Sequence, residues 1–317
     1  MGRCNIVWSS VLLPRRWKAY QISTTYTVKS GDTCYAISQS RGISLSDFQS
    51  WNPGINCNNL QIGQPSGSSP SSNYNGKIFR EYIGALYNGV KFTDVPINTG
   101  VTFHFILAFA IDYTSSASPT NGLFNIYWQN SVLTPAAVQA IKSQYSNVKV
   151  MVSLGGETIS SQPVQFRATS VNSWVSNAVS SLTSLISQYH LDGIDIDYEH
   201  FDSVSNDTFV SCIGQLLQQL KSSGVISVAF IAPFDGVQTQ YKAYTSASQF
   251  VSYYNTAAAT YGGEAKVLAS FSTGRVGPAP STALSAIQQL KSNGKLPGIF
   301  IFSADGSSAA SSFHCLW

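Results

Sequence analysis

The sequence predicts an α/β chain: a TIM (β/α)8-type barrel, incomplete in its fifth-to-sixth strand region, behind a small βααβ module. Three observations carry that reading. From Gly76 onward, apolar runs rich in β-branched and aromatic residues alternate with helical stretches, the pattern of parallel strands covered by helices. The run PSGSSPSSNYNG at 65–76 has no apolar period and reads as a flexible linker. Ahead of it, residues 23–65 hold only enough chain for two strands and two short helices. A chain of 317 residues accommodates one large domain, a small one and a sizeable core.

Residues 1–22 stand apart as an N-terminal extension expected to be disordered. CNIVWSSVLL has the length of a signal-peptide core, but PRRWKAY follows where a small-residue cleavage site belongs. In the module at 23–65, TYTV predicts a strand, and TCYAISQSRG a helix capped by Asp32 or Thr33. SLSDFQSWN predicts a second helix and LQIG the return strand. A unit this small often needs a disulfide; Cys34 and Cys57 are the expected pair in an oxidising compartment. Five cysteines cannot all pair within one chain, and Cys212, in a helical pattern, is expected as a buried thiol. Residues 66–75 are the linker and 76–317 the barrel.

In the large module the strands are expected at 77–84, 102–111, 148–156, 193–199, 225–234, 266–273 and 297–305. Helices fall between them, over 172–190, 208–224 and 246–262 for example. That makes seven strands where a closed barrel needs eight. Ile231 to Lys266 spans roughly 35 residues, and one strand–helix unit with its turns takes roughly 30. DGVQTQYKAYTSAS at 235–248 has no apolar alternation and is expected to be an irregular connection in place of a strand. A barrel short of a strand exposes two sheet edges. Because the chain stops at Trp317, soon after the last strand, the closing helix is expected to be absent or rudimentary. A doubly wound open sheet is the alternative, but no glycine-rich phosphate loop follows the first strand.

DGIDIDYE at 192–199 holds four of the chain's fifteen acidic residues. Side chains alternate along a strand, so Asp195, Asp197 and Glu199 share one face and Ile194, Ile196 and Tyr198 the other. In a barrel the carboxylates then point inward, with Glu199 at the C-terminal end where barrel enzymes place their chemistry. Asp192 has the opposite parity and reads as a structural residue at the start of the strand. Stacked, confined carboxylates repel one another and lose hydration, which raises at least one pKa and keeps a general acid protonated. A metal site is disfavoured: apart from His200, whose parity differs from that of Glu199, none of the four histidines has ligand spacing near the cluster. The isoleucines disfavour a solvated acidic strand.

Charged residues are 10% of the chain, against a usual quarter, and Ser, Asn, Gln, Thr and Tyr are abundant. That surface suits a secreted or vacuolar protein, as does the acceptor tripeptide Asn206-Asp207-Thr208. A net charge of +3, evenly spread, argues against nucleic acid and anionic membranes as partners. No apolar run is long enough to cross a bilayer. No cofactor is expected, and the chain is expected to be a monomer.

The small module resembles a LysM domain through its tyrosine-containing first strand, Gly31-Asp32-Thr33, Trp51-Asn52-Pro53 and Ile62-Gly63. The resemblance implies binding of N-acetylglucosamine polymers by two loops. These are Gly31, Asp32, Thr33 and Tyr35 in one, and Asn52, Pro53, Gly54 and Ile55 in the other. Plant LysM domains of this type usually carry a cysteine before the first strand and another after the last. Ser23 and Pro65 stand near those places here, which leaves Cys34 and Cys57 without those usual partners.

DGIDIDYE and VSLGG (152–156) resemble the catalytic strand and the third-strand signature of glycoside hydrolase family 18. FHFILAFAIDY and GIFIFSAD resemble strands of its plant branch, which holds chitinases and also inactive storage proteins and lectins. The resemblance runs from about Gly76 to Ala304, and with its LysM module the chain resembles the LysM-bearing chitinases of ferns. It implies that Glu199 protonates the glycosidic oxygen while the substrate's own N-acetyl carbonyl attacks the anomeric carbon. Asp197 would orient the acetamido N–H, and Asp195 would share a proton with Asp197. Phe302 stands where that family usually has a tryptophan under the cleaved sugar. The family's sixth-strand tyrosine falls in the shortened segment, where Tyr241 and Tyr244 are the candidates. The expected function is endo-chitinase with a chitin-binding module. The alternatives are a chitin-binding lectin or storage-like protein on a degenerate barrel, and a truncated or mis-spliced form of an active enzyme.

Overall fold

The computed structural model describes residues 78–201, 206–232, 239, 243–273 and 280–307 of the large module. In the small module it describes 26–40, 45, 49, 56–58, 60 and 65–66. The extension at 1–22 and nearly all of the second helix expected at 44–52 lie outside the described residues. The chain divides into two compact units that part between Ser71 and Ser72.

In the first unit, β1 (Tyr26–Thr27) and β2 (Pro65–Ser66) pair antiparallel, with Tyr26 opposite Ser66. The return strand was expected at LQIG. Leu60 packs against the cluster of Val28, Cys34 and Ile37, and residues 61–64 lie outside the described residues. Helix α1 (Cys34–Ser40) is capped by Thr33, whose Oγ1 accepts from Ala36 N at 3.0 Å. Asp32 is occupied otherwise, its Oδ2 accepting from Lys29 N at 2.7 Å. Cys34 and Cys57 form the disulfide, with Cα atoms 5.5 Å apart. Closing a loop of this size removes unfolded-chain entropy worth about 3 kcal/mol.

In the second unit the strands are β3 (Ile78–Ile83), β4 (Thr102–Ile111), β5 (Val148–Gly156), β6 (Gly193–Tyr198), β7 (Val228–Ile231), β8 (Ala269–Ser272) and β9 (Gly298–Phe302). They form a curled, parallel sheet in the order β7-β6-β5-β4-β3-β9-β8, with short Asn125–Ile126 pairing antiparallel on β4. Helices α2 (Pro135–Gln144), α3 (Val171–Tyr189), α4 (Asn206–Ser222), α5 (Ala247–Thr260) and α6 (Pro280–Ser292) intervene. Hydroxyls start three of them: Thr134, Ser170 and Ser246 each accept from a backbone N–H in the first turn.

Among the described residues, β7 and β8 end the strand order, and they are consecutive strands in the sequence. Three strands are several residues shorter than expected, β9 among them because a helix begins at Ala304. Val225 and Ile226 close the end of α4 by donating to Leu220 O, so β7 starts only at Val228. Glu264–Lys266 is a 3-10 turn, which delays β8 to Ala269. Between them, Thr239 and Ala243–Ser246 are outside any strand and α5 begins at Ala247, so the end of the connection expected at 235–248 is helical. The rest of that connection lies outside the described residues. Thr239 is buried and its Oγ1 meets both backbone groups of Ser270 on the edge strand, donating to Ser270 O at 2.9 Å and accepting from Ser270 N at 3.0 Å. A side chain there occupies ladder positions that a neighbouring strand would fill. After β9 comes the four-residue helix α7 (Ala304–Ser307).

Strand parity separates two layers. Ile83, Phe105, Val152, Leu154, Ile194, Ile196, Phe271 and Ile301 pack outward against Leu182, Leu216, Phe250 and other helix residues in the main core. The inner face carries Tyr82, Ile106, Ala108 and Phe300 in one cluster and Met151, Val228 and Phe230 in another. The same inner parity holds Arg80, His104, Ser153, Asp195 and Asp197, all buried. Those five residues therefore share one confined interior, whereas buried Glu81 has the outward parity of Ile83.

Candidate active site

The carboxylates sit where strand alternation puts them. Asp195 and Asp197 are 0% and 3% exposed, and Glu199, just past the end of β6, is half-buried. β6 lies against β5 in unbroken register from Gly193–Met151 to Tyr198–Gly156. Gly155 makes that approach possible. Its φ is +104°, and a Cβ there would come within 2.8 Å of the Asp197 carbonyl oxygen. Asp192, at the start of the strand, accepts from Val150 N at 2.8 Å and pairs with Lys142 at 2.9 Å, a structural role as its parity implies.

Asp195 is surrounded by donors. Arg80 Nη2 meets its Oδ1 at 2.9 Å; Tyr82 OH and Ser153 Oγ donate to its Oδ2 at 2.6 and 2.9 Å. The Arg80 guanidinium also lies 3.6 Å over the Phe230 ring. Burial, then the charges of Glu199 and Asp195, push Asp197 well above the usual carboxylate range. Burial, then the charge of Glu157, raises Glu199 to about 7. Burial and the neighbouring Asp195 and Asp197 likewise raise the Tyr82 phenol. A carboxyl at the strand's end thus keeps its proton near neutrality, above a buried carboxyl that also resists ionising. Among the described residues no group of three or more His, Cys, Asp or Glu side chains is placed to hold a metal ion.

Phe302 is beside this cluster, its ring 5.5 Å from that of Tyr82 and nearly perpendicular to it. Tyr244 lies elsewhere: its ring packs 4.9 Å from Phe250, in the outer core that also holds Ile194 and Ile196. Its hydroxyl has no partner among the described residues. Tyr241 lies outside the described residues. In the small unit Gly31 has φ +90° with open space about it, and Tyr35 is 61% exposed beside the capping Thr33 and Asp32. Asn52, Pro53, Gly54 and Ile55 lie outside the described residues.

Sequence reasoning missed Arg80, Tyr82 and Ser153. The signal was present in KIFREYIG, where Arg80 and Tyr82 share a parity inside an otherwise buried strand. It also missed Asp112, which accepts from Tyr198 OH at 2.7 Å and Trp174 Nε1 at 3.0 Å. That buried network anchors the strand residue immediately before Glu199.

The LysM domain profile matches residues 26–65, and the profile of glycosyl hydrolases family 18 matches residues 81–303. The catalytic domain of a family GH18 chitinase from the fern Peteris ryukyuensis is 74% identical. That match covers 76% of this chain and 96% of that one, with a TM-score of 0.73. A family 18 chitinase from Crocus vernus is 48% identical over 75% of this chain and 96% of its own, with a TM-score of 0.70. Chitinase 1 of Tulipa saxatilis subsp. bakeri is 50% identical over 257 residues, 73% of this chain and 81% of the relative. A family profile that runs from the strand of Tyr82 through the carboxylates to Phe302 takes in the site just described except Arg80, and the chain belongs to glycosyl hydrolases family 18.

Proposed function

We propose that the protein is an endo-chitinase that cleaves β-1,4 bonds between N-acetylglucosamine units of chitin with retention, its LysM module holding the polymer. The observation that carries this is the Asp195–Asp197–Glu199 column with its outermost carboxyl raised to about 7. Glu199 gives its proton to the glycosidic oxygen. The acetamido carbonyl of the sugar then attacks the anomeric carbon, so the positive charge forms on the substrate and no enzyme nucleophile is needed. Asp197 accepts from the acetamido N–H and balances the developing cation. In the free enzyme the proton shared by Asp195 and Asp197 resides on Asp197, because Arg80, Tyr82 and Ser153 already donate to Asp195; it passes to Asp195 as Asp197 takes the acetamido N–H, which leaves Asp197 charged opposite the cation. Ionised Glu199 then takes a proton from water, which opens the oxazolinium and restores the acid. Phe302 floors the cleaved sugar's position, with less stacking area than a tryptophan. The Cys34–Cys57 bond supports a secreted or vacuolar location.

The test is Glu199→Gln assayed on soluble N-acetylglucosamine oligomers. The amide keeps shape and removes the transferable proton, so kcat falls by at least about a hundredfold while oligomer affinity stays within a few fold. Wild-type kcat/KM falls as pH rises past about 7, where Glu199 loses its proton. A variant that keeps more than about a hundredth of the wild-type rate removes Glu199 from the role of acid. Oligomer binding by the wild type without hydrolysis replaces the enzyme by a lectin.

A further inference from the structure

The ladder between β5 and β6 ends at the pair Gly156–Tyr198, so the next residues, Glu157 and Glu199, emerge side by side from adjacent parallel strands. Neighbouring strands lie about 4.8 Å apart at that last rung, and from the residue beyond it the charge of Glu157 reaches the Glu199 carboxyl. Neither side chain has a hydrogen-bond or ion-pair partner among the described residues. Glu157 is exposed, whereas Glu199 is half-buried. The same spacing recurs below, where Asp197 meets Gly155 and Asp195 meets Ser153. Only at the top rung does a charge face a charge.

We propose that Glu157 is a second working carboxyl of this site, whose negative charge holds the proton on Glu199. The proposal deepens the reading of Glu199 as the acid and rests on it. The other ionisable groups around Glu199 do not supply this effect from outside. Asp197 lies beneath it on the same strand and is itself too buried to ionise readily. Asp195 is neutralised by Arg80, and Tyr82 is committed to Asp195. His200 follows with the opposite parity and pairs, through its short strand, with Gln165. The charge of the exposed Glu157 opposes a second charge alongside. At a separation of about 6 Å in a water-like medium, one such charge displaces its neighbour's titration by about half a pH unit. Glu157 is thus a positioning residue for a proton, acting through Glu199.

The test is a charge series at this position in the full chain: Glu157→Asp, Glu157→Gln and Glu157→Lys. Glu157 is exposed, so these variants remove no core contact. Two readouts are taken on each: the alkaline limb of kcat/KM on soluble N-acetylglucosamine oligomers, and the carbon-13 titration of the Glu199 carboxyl. The expected result is an ordered descent. Glu157→Asp keeps the wild-type limb, Glu157→Gln lowers it by about half a unit and Glu157→Lys by about one. At about 1 M salt, where screening acts within about 3 Å, the wild-type limb moves toward that of Glu157→Gln. Limbs and carboxyl titrations that coincide across the series overturn the proposal. The carbon-13 readout follows Glu199 whether or not it is the acid, so the failure of that assignment stays distinct from the failure of this one.

Discussion

A carboxyl that keeps its proton to about pH 7 in the folded protein and loses it near 4.5 when unfolded is a liability to the fold at neutral pH. Between those values the unfolded chain ionises Glu199 and the folded one does not, so stability falls as pH rises through that window. The full shift corresponds to about 3 kcal/mol, an upper bound for a half-buried group. Glu199→Gln is therefore expected to raise the thermal midpoint at pH 8 and to leave it unchanged at pH 4. Calorimetry at the two pH values checks this, and an equal gain at both would show that charge is not the cause. His104 works in the opposite direction. Burial, then Arg80 and Lys149, hold its ring well below the usual histidine value, and neither ring nitrogen has a partner among the described residues. The unfolded chain binds that proton below about 6.5 and the folded one does not, so stability is lost as pH falls from there.

At the scale of elements, the site depends on how closely two strands approach. Gly155→Ala places a methyl 2.8 Å from the Asp197 carbonyl at a φ that side chains rarely adopt. The expected outcome is a loss of about 1–3 kcal/mol in stability together with at least a tenfold fall in kcat, because the displaced segment carries Asp197 and Glu199. Chemical denaturation and steady-state kinetics on one preparation check it; a variant with unchanged kcat would mean the strand ends tolerate separation. Most of this was legible. Alternating parity in DGIDIDYE placed three of its four carboxylates inward, and apolar runs located β3 to β9 with errors only at their ends. Those errors have local causes, the helix closure at Val225, the 3-10 turn at Glu264–Lys266 and the helix that begins at Ala304. What could not be read was anything made by distant residues meeting. Arg80 and Tyr82 lie 115 and 113 residues from Asp195, and the Thr239 clasp on Ser270 crosses 31.

The whole molecule joins a polymer-holding module to a cleaving one through a Ser- and Pro-rich tether. Deleting residues 1–71 is expected to leave turnover of soluble oligomers within about twofold and to reduce hydrolysis of insoluble chitin by about tenfold or more. A second tethered site raises local concentration only where both sites reach the same polymer. Parallel assays on the two substrates check this, and equal losses on both would count against the tethering role. In the catalytic module, β7 and β8 end the strand order among the described residues and follow one another in the chain. Every ladder among β3 to β9 is parallel. Thr239 lies in the stretch of chain between these two strands, and its hydroxyl takes both backbone groups of Ser270. One side chain therefore pins that stretch to the end of the sheet.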